Sequence, residues 1–176
     1  QPYCYRDART DGVMAKLKEE LGVDYIYSKT GIQFIFFNTM YQLFIEKEST
    51  AYKNADKFLM VPDLLNYLLC GSISTEITNA STTQLLNVHT RDWDWQIIEK
   101  LGIKKDIFPK INKPKQEMGV ITGHGELDGI KVISVGSHDT ASAVAGTPLP
   151  ESGDAAYISS GTWSLVGLEL KAPVTD

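Results

Sequence analysis

The sequence predicts a mixed α/β protein, and three observations predict it. An apolar, β-branched segment at 131–135 is followed at once by a helical segment at 139–145. Two β-rich segments flank a small polar turn within 155–170. Before residue 102, apolar residues recur at helical spacing. A composition of 43% hydrophobic and 22% charged residues is typical of a globular protein that buries a core.

The first hundred residues are predicted to be mostly helical. The start of a helix is indicated by proline or a capping side chain before a run of apolar residues at helical spacing. The end of a helix is indicated by a glycine after such a run. Between 106 and 131, two prolines and four glycines indicate loops and short strands. The predicted helices run from an Asp11 cap to Glu20 with Gly22 as the stop, from Asn38 or Thr39, from Pro62 to Gly71, over 82–87, and over 93–101 with Asp92 as the cap.

The segment 131–145 predicts a ligand site where a strand ends. Val132, Ile133 and Val135 predict a buried strand, and the residues after it break the strand before a helix begins at Asp139. In open α/β sheets, ligands collect beyond the carboxyl ends of strands. His138 and Asp139 are therefore candidate site residues. The alternative is that Asp139 does no more than cap the helix.

The segment 155–170 predicts a hairpin whose turn contains Ser159, Ser160, Gly161 and Thr162. Gly161 is expected to supply the permissive backbone of a tight turn. Hydroxyl and N–H groups around a glycine also suit the oxygens of a phosphate. An ordinary hairpin turn explains the same residues without a ligand.

Charge and hydropathy argue against two classes of partner. The net charge is −5 and no basic stripe is present, so nucleic acid is not expected as a partner. No apolar segment approaches the ~20 residues that span a bilayer, so a membrane is not expected either.

Two motifs that follow one another along the chain resemble those of a known family. GSHDTASAVAGTP at 136–148, followed by AYISSGTWSLVG at 156–167, resembles the FGGY carbohydrate kinases. Within that family, histidine before the catalytic aspartate is the choice of the members that phosphorylate L-rhamnulose. Further similar stretches lie at 5–12, 30–34, 37–43, 59–69 and 78–87.

The resemblance implies a partial actin-like, ribonuclease-H-like ATPase fold. Residues 1–150 would be the later part of the N-terminal, sugar-binding domain, and 151–176 the start of the C-terminal, nucleotide-binding domain. The crossing between them is expected at 147–154. The chain would then be an internal piece of a longer enzyme, inactive alone, because the family's first phosphate-binding hairpin and most of its adenosine site would lie outside it. An exposed sheet edge would favour self-association.

The resemblance also implies roles for individual residues. Asp139 matches the catalytic base, and His138 and Thr140 would contact the sugar. Thr162 matches a position that contacts ATP. ATP acts with Mg²⁺ in phosphoryl transfer, but no metal ligand is assigned, because the family's other acidic partner would precede Gln1.

Four other residues are weaker candidates. Tyr5 and Phe37 match aromatic positions of the sugar pocket, although an aromatic residue is more often part of a core. Asp7 and Arg9 would position substrate or, as we favour, form a local ion pair.

The expected reaction is cytoplasmic, ATP-dependent phosphorylation of a keto-sugar such as L-rhamnulose. The alternatives are an FGGY kinase for xylulose, fuculose or a polyol, and a non-catalytic sugar-binding or regulatory half-domain.

Overall fold

The computed structural model describes residues 3–4, 7–150, 153 and 155–176. It confirms the mixed α/β class, with helices in the first part and paired strands in the later part. The helices are Val13–Leu21 (α1), Val23–Thr30 (α2), Thr39–Glu46 (α3), Thr50–Lys53 (α4), Val61–Cys70 (α5), Ile77–Thr82 (α6), Trp95–Lys100 (α7) and Asp139–Ala145 (α8). The strands are Ser74–Glu76 (β1), Leu86–Asn87 (β2), Asp92–Trp93 (β3), Lys110–Asn112 (β4), Glu117–Val120 (β5), Lys131–Ile133 (β6), Ala156–Ser160 (β7) and Ser164–Leu168 (β8).

The hydrophobic core is built from the helical part of the chain. Every buried member of the core lies between Val13 and Phe108. Helices α1, α2, α3 and α7 contribute many of its most deeply buried side chains, among them Leu17, Ile26, Met40, Tyr41, Ile97 and Ile98. Burial of such side chains supplies most of the stability of a domain of this size.

Four predicted helices are confirmed, and one of them, α8, spans Asp139–Ala145 as predicted. Helix α1 ends at Gly22, whose positive φ of 87° ends the helix at low cost for a residue without a Cβ. Helix α5 has Pro62 in its first turn and ends at Gly71. Helix α3 begins at Thr39 and buries Met40 and Leu43, as predicted.

Two predicted caps are wrong. Asp11 closes a short 3-10 turn at Ala8–Thr10, and Gly12 is the residue before α1. Asp92 does not cap α7. The cap is Asp94, whose carboxylate accepts a hydrogen bond of 2.9 Å from the Ile97 N–H. The observed helix therefore begins at Trp95, two residues later than predicted, and Trp93 lies in a strand.

The helix predicted over 82–87 is also wrong. Helix α6 ends at Thr82, and Gln84 adopts a positive φ of 62° that no helix accommodates. Leu86 and Asn87 then form β2, which pairs with β3 in an antiparallel arrangement. The chain thus reverses where a continuous helix is expected.

The strand at 131–135 is present but is not buried as predicted. Strand β6 pairs antiparallel with β5, and β1 pairs in parallel with β4. Val132 and Ser134 are buried, whereas Ile133 and Val135 are 48% and 63% exposed. Because side chains alternate along a strand, β6 packs only one of its faces.

The predicted hairpin is confirmed, with Ile158 opposite Val166 and Ser160 opposite Ser164. The turn differs from the prediction, because it consists of Gly161, Thr162 and Trp163. Gly161 does not adopt a positive φ, so the turn does not depend on its conformational freedom.

Within the described ranges, no helix combines the length and the apolar character that crossing a membrane requires.

Candidate active site

A cleft of about 1210 Å³ lies between the helical part of the chain and the β7–β8 hairpin. Its apolar lining includes residues of the loop before α3, and its polar lining includes residues of α6, of the start of α8 and of the hairpin turn. Among the residues that line it are Ile32, Ile35, Phe37, Thr78, Thr82, His138, Asp139, Thr140, Ser159, Ser160 and Thr162.

Asp139 is the first residue of α8 and points into open solvent at this cleft. Its side chain is 98% exposed. One carboxylate oxygen, Oδ1, accepts a hydrogen bond of 2.6 Å from the Thr140 N–H. His138, not Asp139, occupies the N-cap position, and no side chain caps the helix. The second oxygen of Asp139 can therefore face a ligand.

His138 and Thr140 flank this carboxylate on the cleft wall. The His138 Nδ1 atom lies 3.8 Å from Asp139 Oδ1, and about a third of the side chain is exposed. The His138 N–H donates to the Thr78 hydroxyl at 3.2 Å, which fixes the loop before α8 against α6. An imidazole and a hydroxyl beside a carboxylate suit the recognition of alcohol groups.

One face of the β7–β8 hairpin turns toward the cleft. Tyr157, Ser159 and Leu165 line the cleft from that face. The Tyr157 ring covers its cross-strand partner Gly167, where a Cβ atom would collide with the ring. Nothing lies within 4 Å of a Cβ built on Gly161, so the backbone of the turn is open to an approaching group. Thr162, next in the chain, is exposed.

The structure thus places Asp139, His138, Thr140 and Thr162 around a single cleft. Phe37 also lines it, and its ring contacts Phe36 edge to face at a centroid distance of 5.1 Å. Tyr5 lies outside the described residues.

Arg9 is engaged in a local network rather than directed at the cleft. Its guanidinium donates to Glu46 at 3.0 Å and to Gln42 at 2.7 Å, and it lies 3.6 Å from Asp7. Gln42 in turn donates to the Phe37 carbonyl at 2.7 Å. Asp7 and Arg9 are therefore structural neighbours of the cleft wall.

Sequence reasoning missed Glu76, a buried carboxylate behind the cleft. It is 1% exposed and accepts hydrogen bonds from α6 and from Ser137. Asp63, also buried, accepts from the Glu76 N–H at 3.2 Å. Burial, together with the neighbouring Glu76 charge, raises the pKa of Asp63 to about 6. An acidic residue that ends a strand just before Thr78-Asn79 is a capping signal that could have identified Glu76.

In the part of the chain that the structure describes, no group of three or more histidine, cysteine or acidic side chains is arranged to hold a metal ion. Glu76 faces inward and Asp139 is the carboxylate at the cleft. The site therefore offers one free carboxylate together with hydroxyl and imidazole groups, an arrangement that can accept a proton from a bound alcohol.

The comparisons with known proteins assign the chain to a family. The N-terminal domain of the FGGY family of carbohydrate kinases matches residues 3–146. The chain belongs to this family.

Curated relatives are similar along the whole chain. The rhamnulokinase of Mannheimia succiniciproducens is 49% identical over 176 residues, and that of Yersinia pestis is 47% identical over 178 residues. The rhamnulokinase of Ligilactobacillus salivarius is 45% identical over 180 residues. The matches cover 98–99% of this chain, whereas the chain spans only 35–36% of the length of these relatives.

Solved structures share the fold. A gluconate kinase and a ligand-bound xylulose kinase, both from Lactobacillus acidophilus, superpose with TM-scores of 0.67 and 0.66 at 25% identity. Each match covers 74% of this chain and 28% of the kinase. The likeness confirms the predicted fold class, a partial actin-like, ribonuclease-H-like ATPase fold.

Proposed function

We propose that this chain is the part of an ATP-dependent sugar kinase that holds the sugar and the catalytic base. The proposed reaction is phosphorylation of L-rhamnulose to L-rhamnulose 1-phosphate. The observation that carries the proposal is the Asp139 carboxylate, 98% exposed at the cleft that the hairpin turn also lines. Sequence identity of 45–49% to rhamnulokinases supports the choice of sugar.

Asp139 is proposed as the general base. An alcohol attacks phosphorus only as its proton is removed, and a carboxylate within hydrogen-bond distance can accept that proton. Asp139 lies in the first turn of α8. The Thr140 N–H orients Oδ1 and leaves the other oxygen for the sugar hydroxyl.

His138 and Thr140 are proposed to bind the sugar. Both lie beside Asp139 on the cleft wall, and both can donate and accept hydrogen bonds. Phe37, which also lines the cleft, offers an apolar surface that suits the C–H face of a sugar ring or chain.

Thr162 is proposed to contact the phosphates of ATP. The hairpin turn fits this role, because its hydroxyls are exposed and its backbone at Gly161 is open on the cleft side. ATP supplies the phosphoryl group, and Mg²⁺ accompanies it in such transfers. Because the described residues contain no group of three or more histidine, cysteine or acidic side chains that could hold a metal ion, we assign no metal ligand.

The domain assignment is part of the same proposal. Residues 1–150 would belong to the sugar-binding domain and 151–176 would begin the nucleotide-binding domain. The N-terminal domain match ends at residue 146, which supports a boundary in this region. The relatives are nearly three times as long as this chain, so the proposed enzyme is a longer protein that contains it. That enzyme is proposed to act in the cytoplasm, where ATP is available. The 176-residue chain alone is expected to be inactive.

The test is Asp139→Asn in the full-length protein that contains this chain. Sugar binding measured by calorimetry is expected to persist, whereas phosphorylation is expected to fall by about 10²–10⁴-fold, the usual contribution of a positioned base. Asp24→Asn is the matched control, because Asp24 lies in the first turn of α2 and does not line the cleft. Near-normal turnover by Asp139→Asn would contradict the proposed role.

The sugar is tested separately with a substrate panel. L-rhamnulose is expected to give the highest kcat/KM among ketoses, aldonates and polyols. A preference for xylulose, fuculose or a polyol would contradict the proposed substrate but would still support the proposed kinase activity. Sugar binding without phosphorylation of any panel member would instead support a non-catalytic sugar-binding module.

A further inference from the structure

We infer that Glu76 is a positioning residue for phosphoryl transfer, holding the 136–138 loop so that Asp139 faces the sugar. The inference rests on the proposed function and adds a residue behind the cleft that does not touch substrate. It follows from the hydrogen bonds of Glu76, from its burial and from its charge.

The Glu76 carboxylate joins two walls of the cleft. On the α6 side, it accepts from the Thr78 N–H at 3.0 Å, from the Thr78 hydroxyl and from the Asn79 N–H at 3.3 Å. On the other side, it accepts from Ser137 twice, from the N–H at 3.0 Å and from the hydroxyl at 3.1 Å. Ser137 lies two residues before Asp139 and 61 residues after Glu76.

A second bond reinforces this connection. The Thr78 hydroxyl donates to Glu76 and accepts from the His138 N–H at 3.2 Å. Two successive backbone N–H groups of the loop, those of Ser137 and His138, are therefore fixed through Glu76, one directly and one through Thr78. The direction in which the chain enters α8 is set by these two bonds.

Two acceptor oxygens are needed at this position because hydrogen-bond donors reach both of them. Oε2 alone receives the Ser137 N–H, the Ser137 hydroxyl, the Asn79 N–H and the Thr78 hydroxyl. Hydrogen bonds to an ionised acceptor are stronger than neutral ones, especially when buried. Across the described residues, no cationic side chain forms an ion pair with Glu76, so its contacts are hydrogen bonds from uncharged donors.

The loop has little else to hold it. Helix α8 buries none of its side chains, and its N-cap residue makes no side-chain capping bond. The Ser142 hydroxyl donates to the Gly136 carbonyl, which ties the loop only to its own helix. The hydrogen bonds that join residues 137 and 138 to the helical part of the molecule are those to Glu76 and Thr78.

The experiment compares three variants of the full-length protein. Glu76→Gln keeps the length of the side chain but removes its charge. Glu76→Asp keeps the charge and a good helix cap, but is too short to hold α6 and Ser137 together. Asp94→Asn is the matched control, because Asp94 is a buried capping carboxylate that contacts Ile97 and Asn87, away from the loop.

Two readouts separate positioning from simple destabilisation. The first is turnover per sugar-binding site, with the sites counted by calorimetric titration, since misfolding removes sites without slowing those that remain. It is expected to fall by about 10–100-fold in Glu76→Gln and about tenfold in Glu76→Asp, as for other misplaced catalytic groups. It is expected to be unchanged in Asp94→Asn.

The second readout is amide hydrogen exchange at 136–140, which does not depend on activity. Exchange is expected to become about tenfold faster in both Glu76 variants, because local opening becomes easier, and to be unchanged in Asp94→Asn. If both Glu76 variants keep wild-type turnover per site and wild-type exchange, the inference is wrong. If exchange changes as expected but the wild-type protein phosphorylates no sugar, the proposed function fails while the structural connection stands.

Discussion

The two halves of this chain differ in how they are packed. Residues 7–112 enclose a hydrophobic core to which four helices contribute side chains that are almost fully buried. In the described residues after 112, Ile121, Val132 and Ser134 are the buried ones. Yet the later half carries Asp139 and the hairpin turn. The comparison teaches that the proposed chemistry is placed on weakly packed elements, and that the first half serves as their support.

The largest expected effect is a loss of stability on truncation in the first half. Ile97→Ala is expected to lower the free energy of unfolding by about 2–5 kcal/mol, because Ile97 is 0% exposed and a cavity would remain. Ile158→Ala is the same substitution in the hairpin, where Ile158 is 70% exposed. It is expected to change the free energy of unfolding by less than about 0.5 kcal/mol. Urea denaturation measures both values. Equal losses would contradict the difference in packing.

A smaller effect is expected at the boundary between the halves, where Asp63 contacts the Glu76 backbone. The pKa of Asp63 is raised from 3.8 to about 6, so the folded state retains a proton that the unfolded state releases. Stability from this group is therefore lost as the pH rises from about 4 to 6, and the loss is complete above that range.

Asp63→Asn should remove this loss. It is expected to stabilise the protein by about 1–3 kcal/mol at pH 8 relative to wild type, and by progressively less toward pH 4. Thermal unfolding across this pH range measures the difference. A stabilisation of the same size at every pH would show that Asp63 does not titrate as described.

The smallest expected effect concerns association through the later half. Ile158, Val166 and Leu168 share the outer face of the hairpin and are 61–74% exposed. We predict that the 176-residue chain self-associates through apolar surface of this kind. Val166→Lys should reduce the association constant several-fold in sedimentation experiments, whereas Val174→Lys, at an exposed valine outside the hairpin, should not. A wild-type chain that stays monomeric as its concentration rises would contradict the prediction.

The same comparison explains how far the sequence could predict the fold. Helices α1, α3 and α5 were predictable because local signals, such as Gly22 and Pro62, coincide with an apolar face. Helix α2 was not, because its tyrosines and isoleucine do not favour a helix, and the burial of Ile26 outweighs that preference. The chain reversal at Gln84 depends on a positive φ that its residue type does not signal.

The candidate site likewise has residues that local sequence motifs predict and a residue that they do not. Asp139, His138, Thr140 and Thr162 lie in two short motifs and could be named from them. Their roles remain predictions. Glu76 could not be connected with Asp139, because the contact between Glu76 and Ser137 exists only after the chain has folded.

The separation of 61 residues between Glu76 and Ser137 also has a consequence for biosynthesis. As the chain leaves the ribosome, β1 emerges long before the segment that completes its environment. Closing so long a loop carries an entropic cost that is recovered only once the donors arrive. The proposed reaction centre is therefore among the last parts of this chain to become ordered during translation.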